Sequence, residues 1–149
     1  MPALLRAARE LDMPPIRSLL EADGLPTEDL QSAAPEFVVA CDGQGRIIAA
    51  GALQCFAESA LLRSVVVSPE ARHAGVGSRL VRDLEHMARE HGVKQLILLT
   101  QSAERFFAHQ GYRAIDRGDV PQAVQQCEEF RALCPASAVC MAKSLAPSP

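Results

Sequence analysis

The stretch Leu61-Leu62-Arg63-Ser64-Val65-Val66-Val67-Ser68-Pro69-Glu70-Ala71-Arg72-His73-Ala74-Gly75-Val76-Gly77-Ser78 runs from an apolar segment, β-branched towards its end, into a polar loop with two glycines. Beyond the loop, Val76, Leu80, Leu84, Met87 and His91 recur at steps of three and four with charged residues between them, the pattern of an amphipathic helix closed by Gly92. Residues 94–100 follow, with Leu96, Ile97, Leu98 and Leu99 unbroken, as in a strand covered on both faces. Strand, crossover helix and strand form a βαβ unit whose two strands run parallel.

A loop directly after a strand and directly before a helix aims unpaired backbone N–H groups, and the positive end of the helix dipole, at one point. Arg72-His73-Ala74-Gly75-Val76-Gly77-Ser78 is therefore an anion site. Glycines at 75 and 77 remove the Cβ atoms that would hold a phosphate off those amides, and Arg72 and Ser78 add donors suited to a pyrophosphate. The alternative is a turn whose glycines only satisfy backbone angles. A dinucleotide fingerprint would need glycine where Leu80 stands, and a nucleoside-triphosphate loop would need Gly-Lys-Ser/Thr, so NAD and ATP are poor fits.

Around this unit the pattern predicts a short strand over 4–9, a helix opened by Pro14-Pro15 and ended by Gly24, and a short helical stretch over 27–31. A hairpin of strands over 36–41 and 46–56 turns at Asp42-Gly43-Gln44-Gly45 and leads to the strand over 60–67. Downstream lie a short helix over 103–109 stopped by Gly111, a strand over 112–116, a helix over 120–133 opened by Pro121, and a last strand over 138–143. Residues 1–145 read as one domain and 146–149 as a frayed tail.

The 149 residues, 48% of them apolar, are enough for one core, and a net charge of −3 without any Lys/Arg block gives no footprint for nucleic acid or an anionic membrane. No apolar stretch approaches the roughly 18 to 20 residues that span a bilayer, and no signal-peptide pattern opens the chain, so a cytoplasmic location is expected. Five cysteines without a Cys-x-x-Cys pair read as reduced thiols. Three of them, Cys127, Cys134 and Cys140, leave open a soft-ion or trivalent-arsenic site as the alternative to buried apolar residues.

The strand, the Arg-x-x-Gly-x-Gly loop, the helix and the later Ser102 to Tyr112 segment resemble the GNAT superfamily of acetyl-coenzyme A-dependent N-acetyltransferases, over nearly the whole chain. The resemblance implies an α/β (α+β) fold, a mixed, mostly antiparallel sheet with a central parallel pair and helices on both faces. It implies a bulge where the strand holding Leu61 to Val67 parts from the next strand. The pantetheine arm of acetyl-CoA would lie in that gap against the backbone of Val65, Val66 and Val67, and the pyrophosphate against Arg72, His73, Gly75, Val76, Gly77 and Ser78. Ala60-Leu61-Leu62-Arg63-Ser64 and Phe130-Arg131-x-Leu133-Cys134-Pro135-Ala136-Ser137-Ala138 resemble more closely the N-acetyltransferases encoded with bacterial arsenic-resistance genes. Relatives of that group imply a small amino-acid-like substrate, such as a glutamate-analogue toxin of the arsinothricin or phosphinothricin type, and similar proteins are commonly dimers.

Acyl transfer to an amine needs a neutral nitrogen, a polarised thioester carbonyl and a proton for the leaving thiolate. Backbone N–H near Val66 is expected to polarise the carbonyl. Many relatives place a tyrosine acid where this chain has Phe106 or Phe107, so Ser102, Thr100 or water supplies the proton, or the thiolate leaves unaided; no metal is needed. The missing hydroxyl also keeps open a non-catalytic acyl-CoA sensor. Glu58, between two strands, is the candidate base, against a solvated turn residue. Arg63 and Ser64 interrupt an apolar strand on opposite faces, so one should enter the cleft; Arg63 reads as a clamp for a substrate carboxylate, or as a structural ion pair with a carboxylate such as Glu58. Phe106 and Phe107 cannot both face the same way, so one packs the core and the other, with Phe107 the candidate, is placed against the pantetheine arm; the alternative is core packing for either. Tyr112 reads as a core residue, and His86, His91 and His109 as helix-surface residues.

Overall fold

The computed structural model describes residues 3–145; the tail expected over 146–149 lies outside the described residues. In chain order it holds β1 (Leu4–Ala7), α1 (Met13–Ala22), α2 (Leu30–Ala33), β2 (Glu36–Cys41), β3 (Ile47–Phe56), β4 (Ser59–Val67), α3 (Val76–Glu90), β5 (Gln95–Thr100), α4 (Glu104–His109), β6 (Arg113–Ala114), α5 (Gln122–Gln125) and β7 (Val139–Ser144). A single π turn, Glu129–Leu133, precedes β7. Among the described residues, no helix is long and apolar enough to cross a membrane.

The strands form one seven-stranded sheet in the order β1-β2-β3-β4-β5-β7-β6. Among the described residues only β4 and β5 are parallel, as the βαβ reading requires; β1 to β4 form an antiparallel series, and β5-β7-β6 form another. Alternation along β2 shows how the two faces are filled. Val38 and Ala40 join the core under α3, where Leu80, Val81, Leu84 and Ala88 are buried. Phe37, Val39 and Cys41 face the opposite core with Ile16 and Leu20 of α1. A third cluster beneath α5 and the π turn gathers Leu61, Ile97, Val124, Phe130 and Cys140.

Two features open the centre of this sheet. The parallel ladder joins only Ser59, Ala60 and Leu61 to Gln95, Leu96 and Ile97, after which β4 and β5 part. On the other side of β4, the register with β3 steps from Ala50↔Val66 to Ala52↔Arg63, so β4 carries one extra residue opposite Gly51. Ser64 holds the bulge with a φ of 58°, a left-handed conformation seldom adopted by a residue with a side chain. Gly51 suits this bend, because a Cβ there would stand 2.8 Å from Leu84 Cδ1.

The helix expected over 120–133 is not continuous. It divides into a short turn at Arg117–Asp119, α5 and the π turn, in which Cys134 N–H donates to Glu129 C=O at 3.0 Å. The strand expected over 112–116 shrinks to β6, because Tyr112 turns inward to the core and its N–H donates to Phe107 C=O. Tyr112 Oη donates to Glu85 Oε2 at 2.9 Å, and Lys143 Nζ lies 3.1 Å from both Glu85 oxygens while donating to Gln110 C=O at 2.8 Å. Burial, reinforced by Glu85, pushes the Tyr112 hydroxyl far above its ordinary range. Tyr112 is a core residue, as read from the sequence, and no proton donor for the cleft.

Leu84→Ala is expected to cost about 2–5 kcal/mol in urea denaturation, since Leu84 is fully buried beneath the bend in β4. Leu11→Ala, at a side chain 89% exposed, should change stability by less than about 0.5 kcal/mol in the same measurement.

Candidate active site

Between the parted strands lies a cleft of about 340 Å³. The bulge contributes Leu62, Arg63, Ser64 and Val65 to its wall; Leu98, Thr100, Gln101 and Ser102 of the β5 end and Phe107 of α4 face them. Asp23 and Gly24 after α1 form part of the rim, and Glu129, Leu133 and Cys134 enter from the π turn. Beyond Leu61 the β5-facing edge of β4 has no ladder partner, so its backbone polar groups are left for whatever occupies the gap.

The loop at the end of β4 leads directly into the mouth of α3. His73 and Gly75 both have positive φ, 68° and 78°. The first bond of α3 runs from Arg79 N–H to Gly75 C=O at 3.2 Å, which leaves the amides of Val76, Gly77 and Ser78 at the helix mouth without intrahelical acceptors. A Cβ at Gly75 would meet no atom within 4 Å, so that side of the loop is open to an approaching group. Gly77 also makes room for Phe106, whose Cζ would lie 3.3 Å from a Cβ there. Arg72 spans loop and cleft, with Nε donating to Val67 C=O at 3.0 Å and Nη2 3.1 Å from Asp23 Oδ1. Ser78 Oγ accepts from Gln110 at 2.9 Å. His73 is exposed at the loop rim.

Three sequence expectations are corrected here. Glu58 is not at the cleft: it sits in the β3–β4 hairpin, at the opposite end of β4 from the bulge, exposed and 3.0 Å from Lys94 Nζ. Arg63 and Ser64 do not point to opposite faces, because the bulge breaks alternation and brings Arg63 Nε to 3.3 Å from Ser64 Oγ. Arg63 is also not free to clamp a substrate carboxylate. Its Nη1 and Nη2 donate to the two oxygens of Asp29 at 2.6 Å each, Nη1 donates to Gln54 Oε1 at 2.9 Å, and Nη2 lies 3.2 Å from Glu129 Oε1. Every nitrogen of the guanidinium is engaged, so the ion-pair alternative is the one realised, with Asp29 and Glu129 rather than Glu58. Among the described residues no three His, Cys, Asp or Glu side chains gather as a metal-holding group, which gives the soft-ion alternative at Cys127, Cys134 and Cys140 no support. Burial raises all three thiols, Cys134 up to about 12 with Glu129 adding to the effect, which keeps them protonated at neutral pH.

Val65, Ser64, Ser102, Thr100 and Phe107 do share the cleft. Val66 packs into the core on the α1 side, and Val67 gives its carbonyl to Arg72. Phe107 packs edge-on against Phe106 and Tyr112. Thr100 Oγ1 accepts the N–H of Ala103 at 3.0 Å, ordering the entry to α4.

Asp29 and Glu129 were missed from the sequence, although a lone arginine in an apolar strand signals that some carboxylate must reach it. Both are buried, at 1% and 5% exposure, around an Arg63 side chain that is itself fully buried. One guanidinium thus faces two carboxylates. Burial pushes the Glu129 carboxyl up to about 7, with Arg63 pulling it down and Asp29 pushing it further up. Because this lies above the ordinary value of 4.5, the folded protein keeps a proton that the unfolded chain has lost between those two values. Stability should therefore fall as pH rises from about 4.5 to 7, by on the order of 3 kcal/mol. Glu129→Gln, which cannot titrate, is expected to flatten that slope in chemical denaturation measured across pH.

Comparison with known proteins places this geometry. Residues 33–114 match the model of the acetyltransferase (GNAT) domain. The amino-acid acetyltransferase of Aeromonas salmonicida is 30% identical over 108 residues, covering 68% of this chain and 24% of that protein. The amino-acid acetyltransferase of Pseudomonas syringae pv. tomato is 35% identical over 106 residues, 70% of this chain and again 24% of the relative. The chain thus spans about a quarter of the length of these relatives. N-acetylglutamate synthase from Neisseria gonorrhoeae, complexed with coenzyme A and N-acetyl-glutamate, shares the fold at a TM-score of 0.83 and 23% identity, over 97% of this chain and 35% of that one. Rv2747 from Mycobacterium tuberculosis, a CoA complex, superposes with a TM-score of 0.80 and 25% identity over 95% of this chain and 98% of its own. With the family's domain model covering more than half of its residues and the parted β4 and β5 beside a glycine loop, the chain belongs to the GNAT acetyltransferase family.

Proposed function

We propose that residues 1–145 form one domain that transfers acetyl from acetyl-CoA to the primary amine of a small amino acid by direct attack. The observation that carries this reading is the juxtaposition of an unpaired β4 edge, an anion-receptive loop at the mouth of α3 and a cleft lined by the buried carboxylate of Glu129. The Gly75 side of the loop is open and the amides of Val76, Gly77 and Ser78 are available there, which suits a pyrophosphate; the β4 edge around Val65 suits the amide groups of a pantetheine arm. Acetyl-CoA supplies the activated thioester. Phe107 and Leu98 give the inner cleft an apolar wall, while Ser64 and Thr100 give it hydroxyls.

The substrate class is free amino acids, with glutamate and its arsinothricin- and phosphinothricin-type analogues included. The support is the name shared by the matched relatives, amino-acid acetyltransferase, together with the resemblance of the Ala60–Ser64 and Phe130–Ala138 segments to arsenic-resistance acetyltransferases. No hydroxyl occupies the Phe106 or Phe107 position, and the thiol of coenzyme A, with a pKa of roughly 8.5, is acidic enough to depart without a dedicated acid.

Release of coenzyme A thiol from acetyl-CoA, followed with glutamate, arginine, arsinothricin, phosphinothricin and a polyamine, tests the reading. Turnover is expected with the amino acids and not with the polyamine. Gly75→Val forces a β-branched residue into a left-handed conformation at φ 78°, and should weaken acetyl-CoA binding about tenfold or more in calorimetry. Tight acetyl-CoA binding with no thiol release from any amine would make the protein an acyl-CoA sensor instead.

A further inference from the structure

We propose that Glu129 is the group that takes the proton from the substrate's ammonium, and that Arg63 and Asp29 are positioning residues that hold its carboxylate at the cleft. This rests on the amino-acid acetyltransferase reading above. Glu129 shares the cleft wall with Ser64, Val65 and Thr100. Its place is set by the backbone: the π turn spans Glu129–Leu133, and in its closing bond Cys134 N–H donates to the carbonyl of Glu129 itself. Such single π turns occur often at functional sites, because they re-aim one side chain.

The three charged groups are not equivalent. Asp29 gives both oxygens to the guanidinium at 2.6 Å, whereas Glu129 stands at 3.2 Å, and no hydrogen bond to its carboxylate is found among the described residues. Yet among those residues no fully buried side-chain nitrogen or oxygen lacks a hydrogen-bond partner. The Glu129 oxygens are therefore open to the cleft, although the residue as a whole is buried. Asp29 is saturated and structural; Glu129, ion-paired at one oxygen only, keeps acceptor capacity towards the cleft. The same guanidinium touches Ser64 at the bulge through Nε, so the carboxylate is held one side chain away from the point where the β4 backbone turns.

With one cation among two carboxylates, the inner cleft carries a surplus negative charge when Glu129 is ionised. That charge suits an ammonium and disfavours a carboxylate, which turns the amine end of an amino acid inward. The other ionisable groups near Glu129 are the thiols of Cys127 and Cys134, raised by burial and so neutral, and Arg117, which is tied to the carbonyls of Pro135 and Ala138 and stacks on Phe130. The Glu129 carboxyl lies near 7 through its burial, so it accepts a proton at neutral pH and returns it to water afterwards.

The step balances without a further reactant. The ammonium gives one proton to the Glu129 carboxylate and becomes an amine with a free lone pair. The nitrogen bonds to the acetyl carbon, the carbon–sulfur bond breaks, and its electron pair leaves with the sulfur. The second nitrogen proton passes to that thiolate, so the products are the N-acetyl amino acid and the coenzyme A thiol. The proton on Glu129 goes to solvent.

The test is the pH profile of kcat/KM for thiol release with the amino acid that the wild type turns over best, in wild type, Glu129→Gln and Asp29→Asn. The wild type is expected to gain activity as pH rises through about 7. Glu129→Gln should lose roughly 10²- to 10⁴-fold and lose that limb, its residual rate following the free-base fraction of the amine, with acetyl-CoA affinity unchanged as evidence that it folds. Asp29→Asn gives Arg63's charge to Glu129 alone and should move the limb to lower pH, a shift that a merely structural role would not produce. Glu129→Gln within threefold of wild type with its limb intact, or an Asp29→Asn limb that stays in place, overturns the assignment of Glu129 while leaving the enzyme reading standing. A wild type that binds acetyl-CoA but acetylates no amine removes the enzyme reading, and the assignment with it.

Discussion

A fully buried guanidinium must be neutralised where it lies, and most of the cleft follows from how this chain does so. Removing an arginine from water costs several kcal/mol unless charged partners and hydrogen bonds meet it. Arg63 meets Asp29 from the segment before α2, Gln54 from β3 and Glu129 from the π turn. Three parts of the chain far apart in sequence are thereby drawn to one point on β4.

The second constraint is backbone geometry. A parallel pair that runs three residues and stops leaves a strand edge inside the molecule, which is tolerable only where something can bond to it. The bulge at Ser64 turns β4 away from β5 as the ladder ends, and Gly51 removes the atom that would collide with Leu84. The same bend delivers Val67 to the loop, where its carbonyl holds Arg72. Cleft and anion loop are thus two results of one distortion in one strand.

The parts of this arrangement that were legible in the sequence are those decided by neighbours along the chain. Glycines 75 and 77 between a β-branched run and an amphipathic helix identify the loop, because helix-mouth amides depend on local order alone. The parallel pair follows from a strand, a helix and a strand in succession. Where the outcome depended on partners 34 or 66 residues away, the reading failed: Arg63 announced a need for a counter-charge but not which acid would meet it, and Glu58, close in sequence, was carried to the far end of the strand. Alternation misled at Ser64, since period two holds only while the ladder is regular. Glu129 was hidden inside a stretch that reads as a plain helix, because a π turn has no composition of its own.

The short parallel ladder has a further consequence for how the molecule comes together. Strands β1 to β4 are sequential antiparallel neighbours, and β5, β6 and β7 are contiguous in the chain, so each half-sheet can form from nearby residues. They meet along three residue pairs, α3 and the side chains around the gap. The cleft is therefore the joint of the fold, and a molecule seated in it links the two halves at their narrowest connection. By mass action any such ligand stabilises the docked state over one in which the halves have parted, so occupancy of the cleft and cohesion of the sheet are linked.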